Sequence, residues 1–117
     1  MNKRVELGIR LFNNREFFEC HEVLEEEWTP EQGERRLFLQ SLIHVAVGLY
    51  HAGRGNRIGA VKQLRKALGK LEKYLPSYEG IDTLRLYHDA QAALRAIEAG
   101  VQDIEQPQIH WLRKTAD

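Results

Sequence analysis

Apolar residues recur along this chain with the period of a helix, and no stretch shows the alternation of a strand. Val5, Ile9 and Phe12 share one side of a short amphipathic helix over Asn2 to Phe12, and Asn13-Asn14 signals a turn. A second helix runs from about Arg15 to Trp28. On it Phe17, Leu24 and Trp28 form a narrow stripe flanked by Cys20, with Phe18 to one side. Thr29-Pro30 ends it, because the residue before a proline avoids the α region. Glu31 to Ala52 predicts a long third helix. Arg57 to Tyr74 predicts a fourth, with Val61, Leu64, Leu68, Leu71 and Leu75 at helical spacing and Pro76 as its stop. Asp82 caps a fifth helix to about Ala99, with Leu84, Tyr87, Leu94 and Ile97 inward and Gly100 at its end. The expected fold is all-α: one domain over residues 1–117, about five helices in antiparallel pairs. Residues 103–117 form a tail whose Ile104, Pro107, Ile109, Trp111 and Leu112 must cover something, either its own body or a second subunit.

The third helix departs from simple amphipathicity. From Leu37 to Gly53 it carries no Asp, Glu, Lys or Arg, yet Gln40, His44 and His51 fall in one narrow sector with Leu37, beside Ser41 and Gly48. Such a run is marginal for a membrane span and suits a helix packed among others. The polar sector either meets solvent or faces polar groups on the second helix, and the lack of charge favours the latter.

Those polar groups are His21 and Glu25, which lie four residues apart and share a face inside the apolar arc. Glu22 sits at the boundary, while Glu19 and Glu26 point to water. The expectation is a polar core cluster of His21, Glu22, Glu25, Gln40 and His44 between the second and third helices. Inward polar groups need partners, because a buried unpaired one costs roughly 1–3 kcal/mol.

The 117 residues carry a formal net charge of +0, so nothing pulls the whole molecule toward nucleic acid or a membrane. The charge is segregated all the same. Residues 16–34 hold eight carboxylates and no Lys or Arg, whereas Arg54 to Lys73 is strongly basic. Cys20 is the single cysteine, which rules out an intrachain disulfide, and the first residues lack a signal-peptide apolar core. The expected location is therefore the cytoplasm.

The pattern Phe-Phe-x-x-His-Glu-x-x-Glu-x-x-Trp from Phe17 to Trp28 resembles the family known as domain of unknown function (DUF) 309. Leu39 to His44 with Gly48 to His51 is similar to it too, as is the stretch from Gly55-Asn56 through Leu75-Pro76 to Asp82. The resemblance covers about three-quarters of the chain and implies a small soluble helical protein of bacteria or archaea. It implies no established activity and no assigned catalytic residue. Gly55-Asn56 with Ala60, Leu64 and Ala67 also resembles one tetratricopeptide unit, but no repeat of that period follows.

Three chemistries compete for these residues. His21-Glu22-x-x-Glu25 differs by one residue from the zinc-protease motif, in which ligands at i and i+4 share a face and the neighbouring Glu acts as base. With His44 as a third ligand, His21, Glu25 and His44 would suit zinc or ferrous iron, and Glu22 would activate a bound water as the catalytic residue of a hydrolase. The basic face of the fourth helix, Lys62, Arg65, Lys66, Lys70 and Lys73, offers an anion-binding surface, but without the interleaved aromatics that stack bases, so a nucleic-acid partner is not expected. Cys20 beside His21 is no catalytic dyad, because adjacent helical residues point about 100° apart. The leading expectation is a non-enzymatic interaction or regulatory module, a homodimer with the His/Glu cluster as structure. A metal-dependent enzyme is the alternative and anion binding the lesser one.

Overall fold

Helix α3 (Gly33–Gly53) is the element the others are built on. Its apolar residues run round most of its circumference, and nine of its residues are buried, from Phe38 to Leu49. The computed structural model describes residues 2–112 and contains four further α-helices: α1 (Lys3–Asn13), α2 (Phe17–Trp28), α4 (Arg57–Leu71) and α5 (Thr83–Glu98). A 3₁₀ turn, Glu72–Tyr74, extends α4. Each helix packs mainly on the helix next to it in sequence, so α2 and α4 flank α3, with α1 outside α2 and α5 outside α4. Among the described residues there is no strand, and no helix is long and apolar enough to cross a membrane.

Small residues set the closest approaches. A Cβ at Gly48 of α3 would lie 2.9 Å from Leu64 Cγ and 3.3 Å from the Ala60 carbonyl, so α3 and α4 pack with backbone near side chain. Gly8 plays the same part for α1 and α2, where a Cβ would come within 2.7 Å of Leu24 Cδ2. Val5, Ile9 and Phe12 are buried as the spacing predicts, with the Phe12 ring edge-on to Phe17 at 5.3 Å. Asn2, Asn56 and Asp82 cap α1, α4 and α5 by accepting from the amides of Val5, Gly59 and Arg85.

Two helix starts differ from the sequence reading. Helix α2 begins at Phe17, because Arg15 adopts φ 63° in the reversal after α1, outside the helical region. Helix α3 begins at Gly33, itself at φ 71°. The guanidinium of Arg36 fills the gap between α2 and α3. It stacks on Trp28 at 3.9 Å and donates to the carbonyls of Trp28, Thr29 and Glu31 at the end of α2, where a cation is favoured. On α5, Leu84 is exposed and Leu86 is the inward residue; Thr83, Leu86, Ala90, Ala93, Leu94 and Ile97 form the buried stripe. Thr83 enters the core because its hydroxyl donates to the Tyr74 carbonyl at 2.6 Å.

The tail docks on its own chain, with Ile104 and Ile109 buried. Asp82 N–H donates to the His110 carbonyl at 2.8 Å and Leu112 N–H to the Gly80 carbonyl at 2.7 Å. Ile104, Pro107 and Ile109 thus cover the chain's own body, whereas Trp111 and Leu112 stay 43% and 48% exposed. Arg113 to Asp117, the last part of the expected tail, lie outside the described residues.

Candidate functional site

The face shared by α2, α3 and α4 holds most of the residues that the sequence singles out. His21 and Glu25 pair as the i, i+4 spacing dictates, Nε2 to Oε2 at 3.0 Å. They are not core groups: their side chains are 27% and 48% exposed, and Glu22 is exposed as well. Phe18 lies on the same side of α2, 46% exposed, with its ring 6.0 Å from His21 and 5.6 Å from Tyr50 of α3. Arg54 covers the Tyr50 ring at 5.5 Å.

The polar sector of α3 turns to the other flank. His44 Nδ1 lies 2.7 Å from Gln63 Oε1 of α4, so the ring donates across the α3–α4 seam. Burial pushes the His44 pKa down. The Gln63 bond acts the other way, and the nearby Lys70 and Lys66 ammonium groups add to the lowering. His51 lies 3.3 Å from the Asn56 side chain, also toward α4. Leu37 is exposed, and Gln40, His44, Val47 and His51 are half-buried along this outer stripe.

These positions correct the expected core cluster. Gln40 and His44 do not meet His21 and Glu25 in the interior, because the α3 sector faces solvent and α4. Apolar residues fill the α2–α3 seam instead. Nor are His21, Glu25 and His44 gathered into a ligand set; among the described residues no group of three or more His, Cys, Asp or Glu side chains is arranged to hold a metal ion. Glu22 has no such centre to serve. Cys20 is fully buried, and burial pushes its thiol pKa up to about 12, which leaves it protonated and unreactive, a packing residue as the spacing implied.

The basic residues of α4 divide between its two flanks. Lys66 and Lys70 border α3 beside His44, whereas Arg65 turns toward α5 and pairs with Glu98. Lys62, Arg65, Lys66 and Lys73 are exposed and Lys70 is half-buried.

A model for the family described as domain of unknown function (DUF309) matches residues 5–63, from α1 into α4. The chain belongs to the DUF309 family. It is also 34% identical over 87 residues to YpuF of Bacillus subtilis (strain 168), an uncharacterised protein, in a match covering 72% of this chain and 50% of that one. The chain spans about half the length of this curated relative. The DUF309 match includes the Phe17-to-Trp28 motif, and the structure gives each of its members a place. Phe17 is buried, Phe18 is exposed beside Tyr50, Trp28 carries the Arg36 stack, His21 and Glu25 pair at the rim, and Glu22 is exposed next to them.

Sequence reasoning passed over Phe18, Tyr50, Gln63 and Ile58 as functional residues. Phe18 lies off the buried stripe of α2, and Ile58 interrupts the cationic face of α4 at 84% exposure. In both cases a large apolar residue on the wrong side of a helix was the available signal.

Proposed function

We propose that this chain is a non-enzymatic interaction module that self-associates as a two-fold dimer through the outer face of α2, α3 and α4. The observation that carries this reading is the arrangement of charge across the face. One edge, on α2, is acidic, with Glu22 and Glu25 exposed. The opposite edge, on α4, is basic, with Lys66, Lys70 and Lys73. Between them runs a stripe without formal charge: Phe18, Leu37, Gln40, His44, Val47 and Tyr50. A two-fold axis parallel to α3 lays the acidic edge of one copy over the basic edge of the other, twice, and brings the two neutral stripes together. Apolar and aromatic groups at the centre with charges at the rim are the usual anatomy of an interface, and the complementary rims specify the partner.

The chemistry of the side chains supports a module rather than a catalyst. His21 is engaged by Glu25, His44 by Gln63, and Cys20 is sealed in the core. A charge-swap experiment tests the reading. Glu22→Lys with Glu25→Lys makes both edges basic, and Lys66→Glu with Lys70→Glu makes both acidic. Each double variant alone should sediment as a monomer, and an equimolar mixture should recover the dimer. Two variants that both stay dimeric, or a mixture that stays monomeric, would contradict the proposed pairing of edges.

A further inference from the structure

On its other flank α4 faces α5, and the surface there is built differently. An open trough of about 1040 Å³ runs along α4 from Gly55 to Lys66 and ends against Glu98 at the end of α5. Its apolar residues are Ile58 and Val61, and its rim carries Arg57, Lys62, Arg65 and Lys66 against the single carboxylate of Glu98. Ile58 is the outlier. It is 84% exposed, the most exposed of the large hydrophobic residues among those described, and it stands on a helix face that is otherwise cationic. A face meant only for solvent has no use for an isoleucine there.

Glu98 indicates what the trough accepts. Its carboxylate pairs with Arg65, and its backbone carbonyl accepts from Arg57, so the chain itself lays acidic and carbonyl oxygens on these two guanidinium groups. Lys62 and Lys66 are exposed beside them. At Gly55 and Arg57 the trough joins a second hollow of about 470 Å³ between the ends of α3 and α5. There the buried side-chain oxygen of Gln106 has no hydrogen-bond partner.

We infer that this trough docks a short acidic amphipathic helix of a partner protein. Aliphatic side chains of that helix seat on Ile58 and Val61, and its carboxylates meet Arg57, Lys62, Arg65 and Lys66. The reach fits: at 1.5 Å per residue the helical stretch from Arg57 to Lys66 spans about 14 Å, two and a half turns of a partner helix. Charge complementarity selects an acidic partner, and the exposed isoleucine selects one with an apolar stripe. A nucleic acid meets the charge requirement only, because the trough offers no aromatic ring on which a base could stack. The trough shares Lys66 with the proposed dimer face but centres on Ile58, Val61 and Arg65 toward α5, so the inference does not rest on that reading.

Methyl and amide NMR of the full chain tests it, with two probes. One is a fourteen-residue helical peptide carrying leucines at i, i+3, i+4 and i+7 and glutamates elsewhere; the other is an oligouridylate of equal charge. The peptide should shift the Ile58 and Val61 methyl signals with micromolar affinity. Ile58→Asp and Arg65→Glu should each weaken binding at least tenfold. Both positions are exposed, so circular dichroism should show the variants folded. A peptide in which lysines replace the glutamates should not bind, and the monomeric variant Glu22→Lys with Glu25→Lys, which changes no residue of the trough, should bind as well as the parent chain. Absence of shifts with the acidic peptide, shifts confined to another surface, or binding indifferent to Ile58→Asp would overturn the inference. Tighter binding of the oligouridylate would replace it with nucleic-acid recognition.

Discussion

The side-chain amide of Asn13 and the backbone of Ile109 satisfy each other completely: Asn13 Nδ2 donates to the Ile109 carbonyl at 2.9 Å, and Ile109 N–H donates to Asn13 Oδ1 at 2.8 Å. Ninety-six positions of sequence separate them. One residue at the end of α1 thereby takes the place of a β-ladder partner for the tail, and both partners are partly removed from water. Asn13→Ala should cost about 1–3 kcal/mol, because it leaves two backbone groups of Ile109 without partners. Asn13→Asp should also destabilise, since a carboxylate cannot donate to the carbonyl. Denaturant melts measure both; a loss under about 0.5 kcal/mol in each would mean that the tail is held without this contact.

The α3–α4 seam makes a prediction with opposite signs at two glycines. Gly48→Ala forces a methyl into Leu64 and the Ala60 carbonyl, and should destabilise by about 1–3 kcal/mol. Gly69 stands in the exposed part of α4, and a methyl added there would meet nothing within 4 Å, so Gly69→Ala should stabilise by about 0.4–1 kcal/mol. Equal effects at both would contradict the close approach at Gly48.

Cys20 gives a simple test of burial. With its pKa pushed up to about 12, the thiol should not react with a disulfide reagent at pH 8 in the native protein, and one equivalent should react in denaturant. Rapid native labelling would show that the α1–α2 seam is open.

His44 links stability to pH. Its folded pKa is lowered, mainly by burial, so below the unfolded value of about 6.5 the unfolded chain binds the proton that the folded one resists. Its contribution is complete above that pH and is lost as pH falls through about 6.5 toward the lower folded value. The melting midpoint, followed at fixed protein concentration, should fall over that window, and His44→Gln should fall less. Identical slopes for the two would place His44 in an environment no drier than the unfolded chain.

Much of this fold was legible in the sequence because helices declare themselves locally. The Val5, Ile9 and Phe12 stripe, the Asn56 and Asp82 caps and the Pro76 stop each depend on neighbours within a turn or two. Arg15 was not legible, since its left-handed backbone follows from how α1 and α2 must reverse to pack. Leu84 and Leu86 were exchanged for a similar reason: a Thr83 hydroxyl that finds the Tyr74 carbonyl rotates the buried stripe of α5. The site was half legible. The spacing of His21 and Glu25 fixed their pairing, but not whether the pair faced core or solvent. The partner of His44 depended on which flank α3 offered to α4, and helical periodicity carries no information about that.

The central claim is the dimer formed by the outer face of α2, α3 and α4, and sedimentation equilibrium at micromolar concentration and neutral pH tests it most directly. The parent chain, at 13.6 kDa, should sediment at about twice that mass. Val47→Glu, which puts a charge into the half-buried middle of the neutral stripe, should return it to 13.6 kDa with its helical signal intact. A single species of 13.6 kDa for the parent at every concentration, or a dimer that Val47→Glu leaves untouched, would contradict the account.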